Sequence, residues 1–323
     1  MARRRSRDDL AVAGFLRIDK PGGMTSHDVV ARVRRAVDVH RVGHSGTLDP
    51  MATGLLLVGV GWVTRLLRFT GETMKTYCAE VTFGQATDTM DAQGKVTAEA
   101  VMAVGEVELR DALKNFTGTI TQLPPMVSAV KVGGEALYRK ARRGEEVARM
   151  PRQVTISAID LMGFGEGKAT LKVCCSSGTY VRVLADDLGR ALGGVAYLSG
   201  LRRISIGSHE VEDAIGLDPL FQYGRGALLP PLGLLPHVPR LVVGKAAADA
   251  VRHGRPLPVT DPVGPFFAVV QSKEEEPEGA EAKEEEASPA ADVFLGVYSH
   301  LAGEDFAKAE MVVPELSIRL SSG

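Results

Sequence analysis

The stretch GHSGTLDPMATG, residues 43–54, concentrates more chemistry than any other part of the chain. Glycines at 43, 46 and 54 allow tight backbone paths and the close approach of a large ligand. Asp49 precedes Pro50, so the chain cannot continue as a helix there, and the carboxylate sits on a stiff loop. His44, Ser45 and Thr47 surround it with hydrogen-bonding groups. The spacing lacks the G-x-x-x-x-G-K-[ST] of a phosphate-binding P-loop. Taken alone, it also fits an ordinary Asp-Pro turn in a glycine-rich loop.

Outward from this loop, the pattern mixes strands and helices without strict alternation, which predicts an α+β fold. Phe15, Leu16 and Ile18 read as a short strand, broken by the turn Lys20–Gly23. Ser26 is the expected N-cap of a helix whose apolar face is Val29, Val30, Val33 and Val37. YCAEVTF (Tyr77–Phe83) alternates as a strand, residues 105–116 read as an amphipathic helix, and 154–164 with 169–175 form a hairpin around Gly163–Gly167. After Gly178, YVRVLADDLGRALG is expected to pass from a strand into a helix ending near Gly193. The proline-rich PPLGLLPHVP (230–239) marks a linker or crossing between domains. Beyond it, Leu241–Val243, Phe266–Val270, Phe294–Tyr298, Ala307–Val313 and Ser317–Leu320 read as the strands of a small β-rich module.

The chain has 323 residues, 45% apolar and 24% charged, which excludes bulk disorder and collagen-like repeats and predicts about two domains. Its formal charge of −2 would argue against nucleic acid if it were evenly spread. It is not: KEEEPEGAEAKEEE (273–286) holds eight Glu and two Lys, so the other residues together carry +4. Such a run cannot bury enough apolar surface to offset its ordering entropy and is expected to be disordered, over 273–292. Arg139–Arg152 instead holds six basic residues against two acidic ones, and residues 1–13 form a basic tail. Cys78, Cys174 and Cys175 give neither a disulfide framework nor zinc-ligand spacing. The longest apolar run, Ala52–Val63, is too short to cross a bilayer, and the opening residues lack a signal-peptide core, so a cytoplasmic protein is expected.

Six blocks, in order, resemble the motifs of the bacterial B-type tRNA pseudouridine synthases. They are DKPGGMTS (Asp19–Ser26), GHSGTLDPMATG, KTYCAEVTFGQATDTMDAQG (Lys75–Gly94), QLPPMVSAVKVGGEALYRKARRGEEV (Gln122–Val147), SSGTYVRVLADDLG (Ser176–Gly189) and LRRISIG (Leu201–Gly207). The resemblance implies a mixed, largely antiparallel catalytic sheet with flanking helices over residues 14–236. It also implies a small PUA-like RNA-binding domain over 237–323. It implies isomerisation of the T-loop uridine (position 55) of tRNA to pseudouridine, with no cofactor and no metal. It implies Asp49 as the essential carboxylate, Arg182 as its partner and Tyr77 as the aromatic stacking on the target base. Leu201 and Tyr180 would line the base pocket, and His44 would fill the stack vacated by the flipped base. Asp91 would contact the displaced nucleotides. Lys20, Lys131 and the Arg139–Arg152 stripe are the candidates for phosphate contacts.

An enzyme acting on a stacked uracil must extrude it, at a cost of a few kcal/mol, roughly. The partner expected is the tRNA T-stem-loop, with no membrane and no obligate protein partner, so a monomer. Ser45 stands where threonine is usual in the family, and Val127 where the PPMxSA block usually has tyrosine. Rival readings are a non-catalytic tRNA chaperone, a guide-RNA-dependent pseudouridine synthase and a nucleoside hydrolase. Most glycosidases flank the bond with two carboxylates, and the motif loop offers one.

Overall fold

Period-two alternation builds the centre of the molecule. In strand KTYCAEVTF every second residue, from Lys75 through Tyr77, Ala79 and Val81 to Phe83, is buried. The computed structural model describes residues 12–71, 73–128, 130–145, 147–258, 265–271, 293–300 and 306–314. The acidic run 273–292, Ser317–Leu320 and the tail up to residue 11 lie outside them.

The first part runs β1 (Gly14–Lys20), α1 (Ser26–Val37), β2 (Val42–His44), β3 (Thr53–Val60), a 3-10 helix (Gly61–Thr70) and β4 (Lys75–Phe83). It continues with the ribbon β5 (Gln85–Thr87) and β6 (Val96–Glu99), α2 (Glu106–Lys114) and β7 (Gly118–Gln122). The short pair β8 (Lys131–Val132) and β9 (Glu135–Ala136) leads into α3 (Leu137–Arg142). Then come β10 (Arg152–Gly165), β11 (Lys168–Cys175), α4 (Val181–Ala191), β12 (Ala196–Ile206), β13 (His209–Glu210) and α5 (Leu217–Tyr223). Among the described residues the main sheet has the order β1-β3-β12-β4-β11-β10-β7, with β2 on β3 and β13 on β12. Its pairs are antiparallel except β3 with β12, which run parallel where Thr53 and Gly54 face Arg202 and Arg203. Gly54 is required there: its φ is +98°, and a Cβ would lie 2.2 Å from the Arg203 carbonyl oxygen.

Apolar stripes place the helices. The valines of α1 bury against Leu16, Ile18, Leu56 and Val58, while Leu184, Ala185 and Leu188 of α4 close over Ala79, Leu171, Val173 and Leu198. Each fully buried side chain of this kind contributes about 1.5–3 kcal/mol. The α+β class expected from the pattern is observed, and so is the mixed, largely antiparallel sheet that the resemblance implies.

The second part contains β14 (Arg240–Val243), α6 (Lys245–Arg252), β15 (Leu257–Pro258), β16 (Phe266–Gln271), β17 (Val293–Ser299) and β18 (Phe306–Val312), in the sheet order β14-β16-β17-β18-β15. It shares one apolar cluster with the first part: Trp62, Val63 and Leu66 pack with Phe267, Val269, Leu295 and Val297. Leu234 and Leu235, from the proline-rich stretch, are fully buried in that cluster. The stretch is therefore a packed crossing and not a free linker.

Two local readings are corrected, and one element is added. The N-cap of α1 is Thr25, whose side chain accepts from the Asp28 amide in a capping box, and not Ser26. Ser26 is buried, and its hydroxyl accepts from the Leu48 amide at 2.9 Å and donates to the Leu48 carbonyl at 3.2 Å. No strand lies between Gly178 and α4: the helix begins at Val181, directly after Tyr180. Helix α6 is an element the sequence reading does not include; it buries Ala248 and Val251.

Candidate active site

The motif loop is held by donors from four directions. The Lys20 ammonium donates to the carbonyls of Pro21 (3.0 Å), Pro50 (3.3 Å) and Ala52 (2.6 Å). Ser26 clamps Leu48 from the start of α1. The Arg203 guanidinium donates to Leu55 (2.7 Å) and Gly46 (3.2 Å). The Gly23 amide donates to the Pro50 carbonyl at 2.9 Å. Leu48, 3% exposed, anchors the loop in the core one residue before Asp49. A carboxylate so mounted has little positional freedom, which is what a reacting group needs.

Asp49 opens into a cleft of about 420 Å³ lined by Tyr77, Tyr180, Arg182 and Leu201, among others. Arg182, on the first turn of α4 and only 4% exposed, ties the centre together. Its Nη2 lies 3.4 Å from Asp49 Oδ2 and donates to the Val127 carbonyl at 2.7 Å, while Nη1 donates to Asp91 Oδ2 at 3.3 Å. The guanidinium also lies over the Tyr180 ring, 5.8 Å from its centroid. Tyr180 is in turn fixed by Gln122, whose Oε1 accepts from its amide (2.9 Å) and whose Nε2 donates to its carbonyl (3.2 Å).

Burial pushes the Asp49 carboxyl above the ordinary carboxylate value; Arg182 opposes the shift and Asp91 adds to it. Arg182 favours the ionised form, but desolvation is the larger effect and sets the direction. The Tyr77 phenol is also raised by burial, against a hydrogen bond from Arg203, and so keeps its proton at neutral pH. Burial lowers the pKa of His44, which sits at the end of β2, so its ring is neutral at pH 7.

Of the residues singled out from sequence, Asp49, Tyr77, Tyr180, Arg182 and Leu201 converge on this cleft. Asp91 does not face outward towards a nucleotide. It is 3% exposed, its Oδ1 accepting from Thr89 (2.7 Å) and the Gln93 amide (3.0 Å), and it backs Arg182. Lys20 is not a surface phosphate contact either: it is fully buried and braces the Asp49 loop. Burial lowers its pKa to about 8. Lys131 lies on β8, and its side chain falls outside the described residues. Within the basic stripe, Arg143 pairs with Glu135 (2.7 Å) and Glu145 (2.6 Å), and Arg152 borders the cleft.

The sequence reading missed Lys75, Arg203 and Ser177. Lys75 Nζ donates to Ser177 Oγ (2.5 Å) and the Thr73 carbonyl (2.8 Å), and burial lowers its pKa to about 8. Strand period carried the signal: Lys75 lies two residues before Tyr77 and Arg203 two after Leu201, each on the cleft-facing side. Among the described residues no group of three His, Cys, Asp or Glu side chains is placed to hold a metal ion.

Comparison with known proteins places the chain in a family. Residues 34–181 match a family model described as TruB family pseudouridylate synthase (N terminal domain). The tRNA pseudouridine synthase B of Symbiobacterium thermophilum is 48% identical over 258 residues, covering 79% of this chain and 86% of that protein. The protein of the same name from Bordetella pertussis is 45% identical, covering 73% of this chain and 99% of its own. In fold, the chain is similar to one in a structure titled as an H/ACA RNP bound to a substrate RNA containing 2'-deoxyuridine (TM-score 0.68, 21% identity, 98% of this chain and 89% of that one). A chain in a Cbf5-Nop10-Gar1 complex has the same TM-score at 23% identity, covering 98% of this chain and 89% of that one. By sequence identity over most of its length, the chain belongs to the TruB family of pseudouridylate synthases.

Proposed function

We propose that the protein isomerises the T-loop uridine of tRNA, position 55, to pseudouridine, working in the cytoplasm as a monomer. The observation that carries this reading is the half-buried Asp49 carboxylate at the mouth of a cleft with Tyr77 and Leu201, paired with an Arg182 that is itself buried against Asp91. The names of relatives at 45–48% identity support tRNA as the substrate.

The reaction breaks the bond from uracil N1 to the sugar and forms one from uracil C5 to the same carbon. N1 gains a hydrogen and C5 loses one, so atoms and electrons balance within the substrate. A carboxylate with raised proton affinity is a stronger base than an exposed Asp, which suits Asp49 to proton removal or to attack at the electron-poor sugar. Arg182 holds that carboxylate at the wall of the cleft, and Asp91 holds Arg182. Tyr77 offers a flat aromatic ring, its hydroxyl protonated, on which a detached uracil can turn while remaining enclosed. His44, one residue before the cleft-lining Ser45, presents a neutral ring for the gap left in the loop stack. Arg139 and Arg152, both exposed, supply sequence-independent phosphate contacts. Lys131, from the neighbouring β8, does the same.

One carboxylate at the cleft mouth and a second locked behind Arg182 do not make the flanking pair of a hydrolase. The test is site mapping on an unmodified tRNA transcript: pseudouridine at position 55 and nowhere else is expected. Modification at another uridine, or free uracil, contradicts the reading.

A further inference from the structure

Two hydroxyls on the wall of the cleft have no partner. Ser128 Oγ and Ser45 Oγ are both buried without a hydrogen bond, and both residues line the space in front of Asp49. Ser128 is only 5% exposed. A buried hydroxyl left unpaired costs about 1–3 kcal/mol, so native proteins rarely keep one without a use.

The backbone around Ser128 is fixed. The preceding carbonyl, of Val127, accepts from the same Arg182 Nη2 that faces Asp49. The Val130 carbonyl accepts from the Leu137 amide at 2.8 Å, and the Pro124 carbonyl from Arg149 at 3.0 Å. Ser45 is fixed likewise, its amide donating to the Leu57 carbonyl at 3.0 Å. The frame is thus satisfied at each of these points while the two side-chain oxygens are not. Each needs only a rotation about χ1 to present its hydroxyl to an arriving group.

We infer that Ser128, assisted by Ser45, is a substrate-binding residue, its hydroxyl bonding an oxygen of the flipped uridine once that nucleotide enters the cleft. This rests on the functional reading above and adds to it a contact that neither Asp49 nor Arg182 supplies. Two sources of such an oxygen exist, the ribose hydroxyl and the uracil carbonyls.

The test uses the full-length protein, Ser128→Ala and Ser45→Ala, with unmodified tRNA transcript. It reads tRNA Kd, kcat/KM and Tm. Losing one such hydrogen bond is expected to weaken Kd and lower kcat/KM about tenfold for Ser128→Ala. Its Tm is expected to match or exceed that of the wild type, because an unpaired buried hydroxyl has been removed. A packing role would move the quantities the other way, with Tm falling and Kd unchanged; that result overturns the inference, as does a Kd and kcat/KM within twofold of wild type. A transcript with 2'-deoxyuridine at the target separates the sources. If Ser128→Ala costs nothing further on it, the partner is the ribose hydroxyl; if the tenfold loss persists, the partner is the base. Should the wild type make no pseudouridine, the functional reading fails, and the Kd comparison still decides whether Ser128 touches the RNA.

Discussion

At the scale of single residues, the site is a contest between burial and charge pairing, and the balance has measurable signs. Asp49 has a folded-state pKa above its unfolded value, so the folded protein holds that proton more tightly than the unfolded chain does. Its stabilising contribution is complete below the unfolded value, about pH 4, and is lost as pH rises through the folded value. At neutral pH the ionised carboxylate is therefore a cost, and Asp49→Asn is expected to raise Tm at pH 7. The gap between variant and wild type should close as the pH is taken to about 4; a gap of constant size would contradict the assigned shift. Arg182 behaves in the opposite way. Arg182→Met leaves Asp91 charged and enclosed, 4% exposed, with its ion-pair partner gone. That should destabilise the protein by about 3–5 kcal/mol in urea denaturation. A loss under about 1 kcal/mol would contradict the view that Arg182 compensates the enclosed Asp91 carboxylate.

At the scale of elements, the strands were legible and the roles of charged residues at their ends were not. YCAEVTF announced β4 because alternation is a local property. The family resemblance places Asp91 against displaced nucleotides and Lys20 is a candidate phosphate contact; here backbone carbonyls around Lys20, and Arg182 beside Asp91, make burial of these charged groups tolerable. Those partners lie up to 91 residues away in sequence, beyond the reach of any local pattern. Lys75, at the head of β4, offers a test of the same kind. Its pKa is lowered to about 8 by burial, so between about pH 8 and the ordinary lysine value the unfolded chain binds more protons than the folded one. Wild-type stability should therefore gain on that of Lys75→Met as pH rises from about 7.5 to 9.5. A difference that is flat or shrinks over that range would contradict the burial argument.

At the scale of the whole molecule, the net charge of −2 misdirects, since one acidic run masks a body of +4. The proline cluster predicts a boundary between two domains, but it gives no sign of the packing across it, because Leu234 and Leu235 look like any apolar pair in a linker. The stacked Trp62 and Phe294 (6.1 Å between centroids), the Phe69–Phe266 edge contact (5.4 Å) and the Arg68–Glu310 pair (2.9 Å) cross between the parts. A core shared in this way predicts one cooperative transition in calorimetry, with calorimetric and van't Hoff enthalpies equal. Two resolved transitions would mean that the parts fold independently. The central claim, that the Asp49 carboxylate in this cleft converts a tRNA uridine to its C-glycoside, is tested most directly by incubating unmodified tRNA transcript with wild-type protein and with Asp49→Asn and mapping pseudouridine. The account predicts stoichiometric product at the T-loop uridine with the wild type and at least about a 10³-fold slower reaction with the variant, tRNA binding being retained. Product formed at comparable rates by both proteins, or by neither, would contradict it.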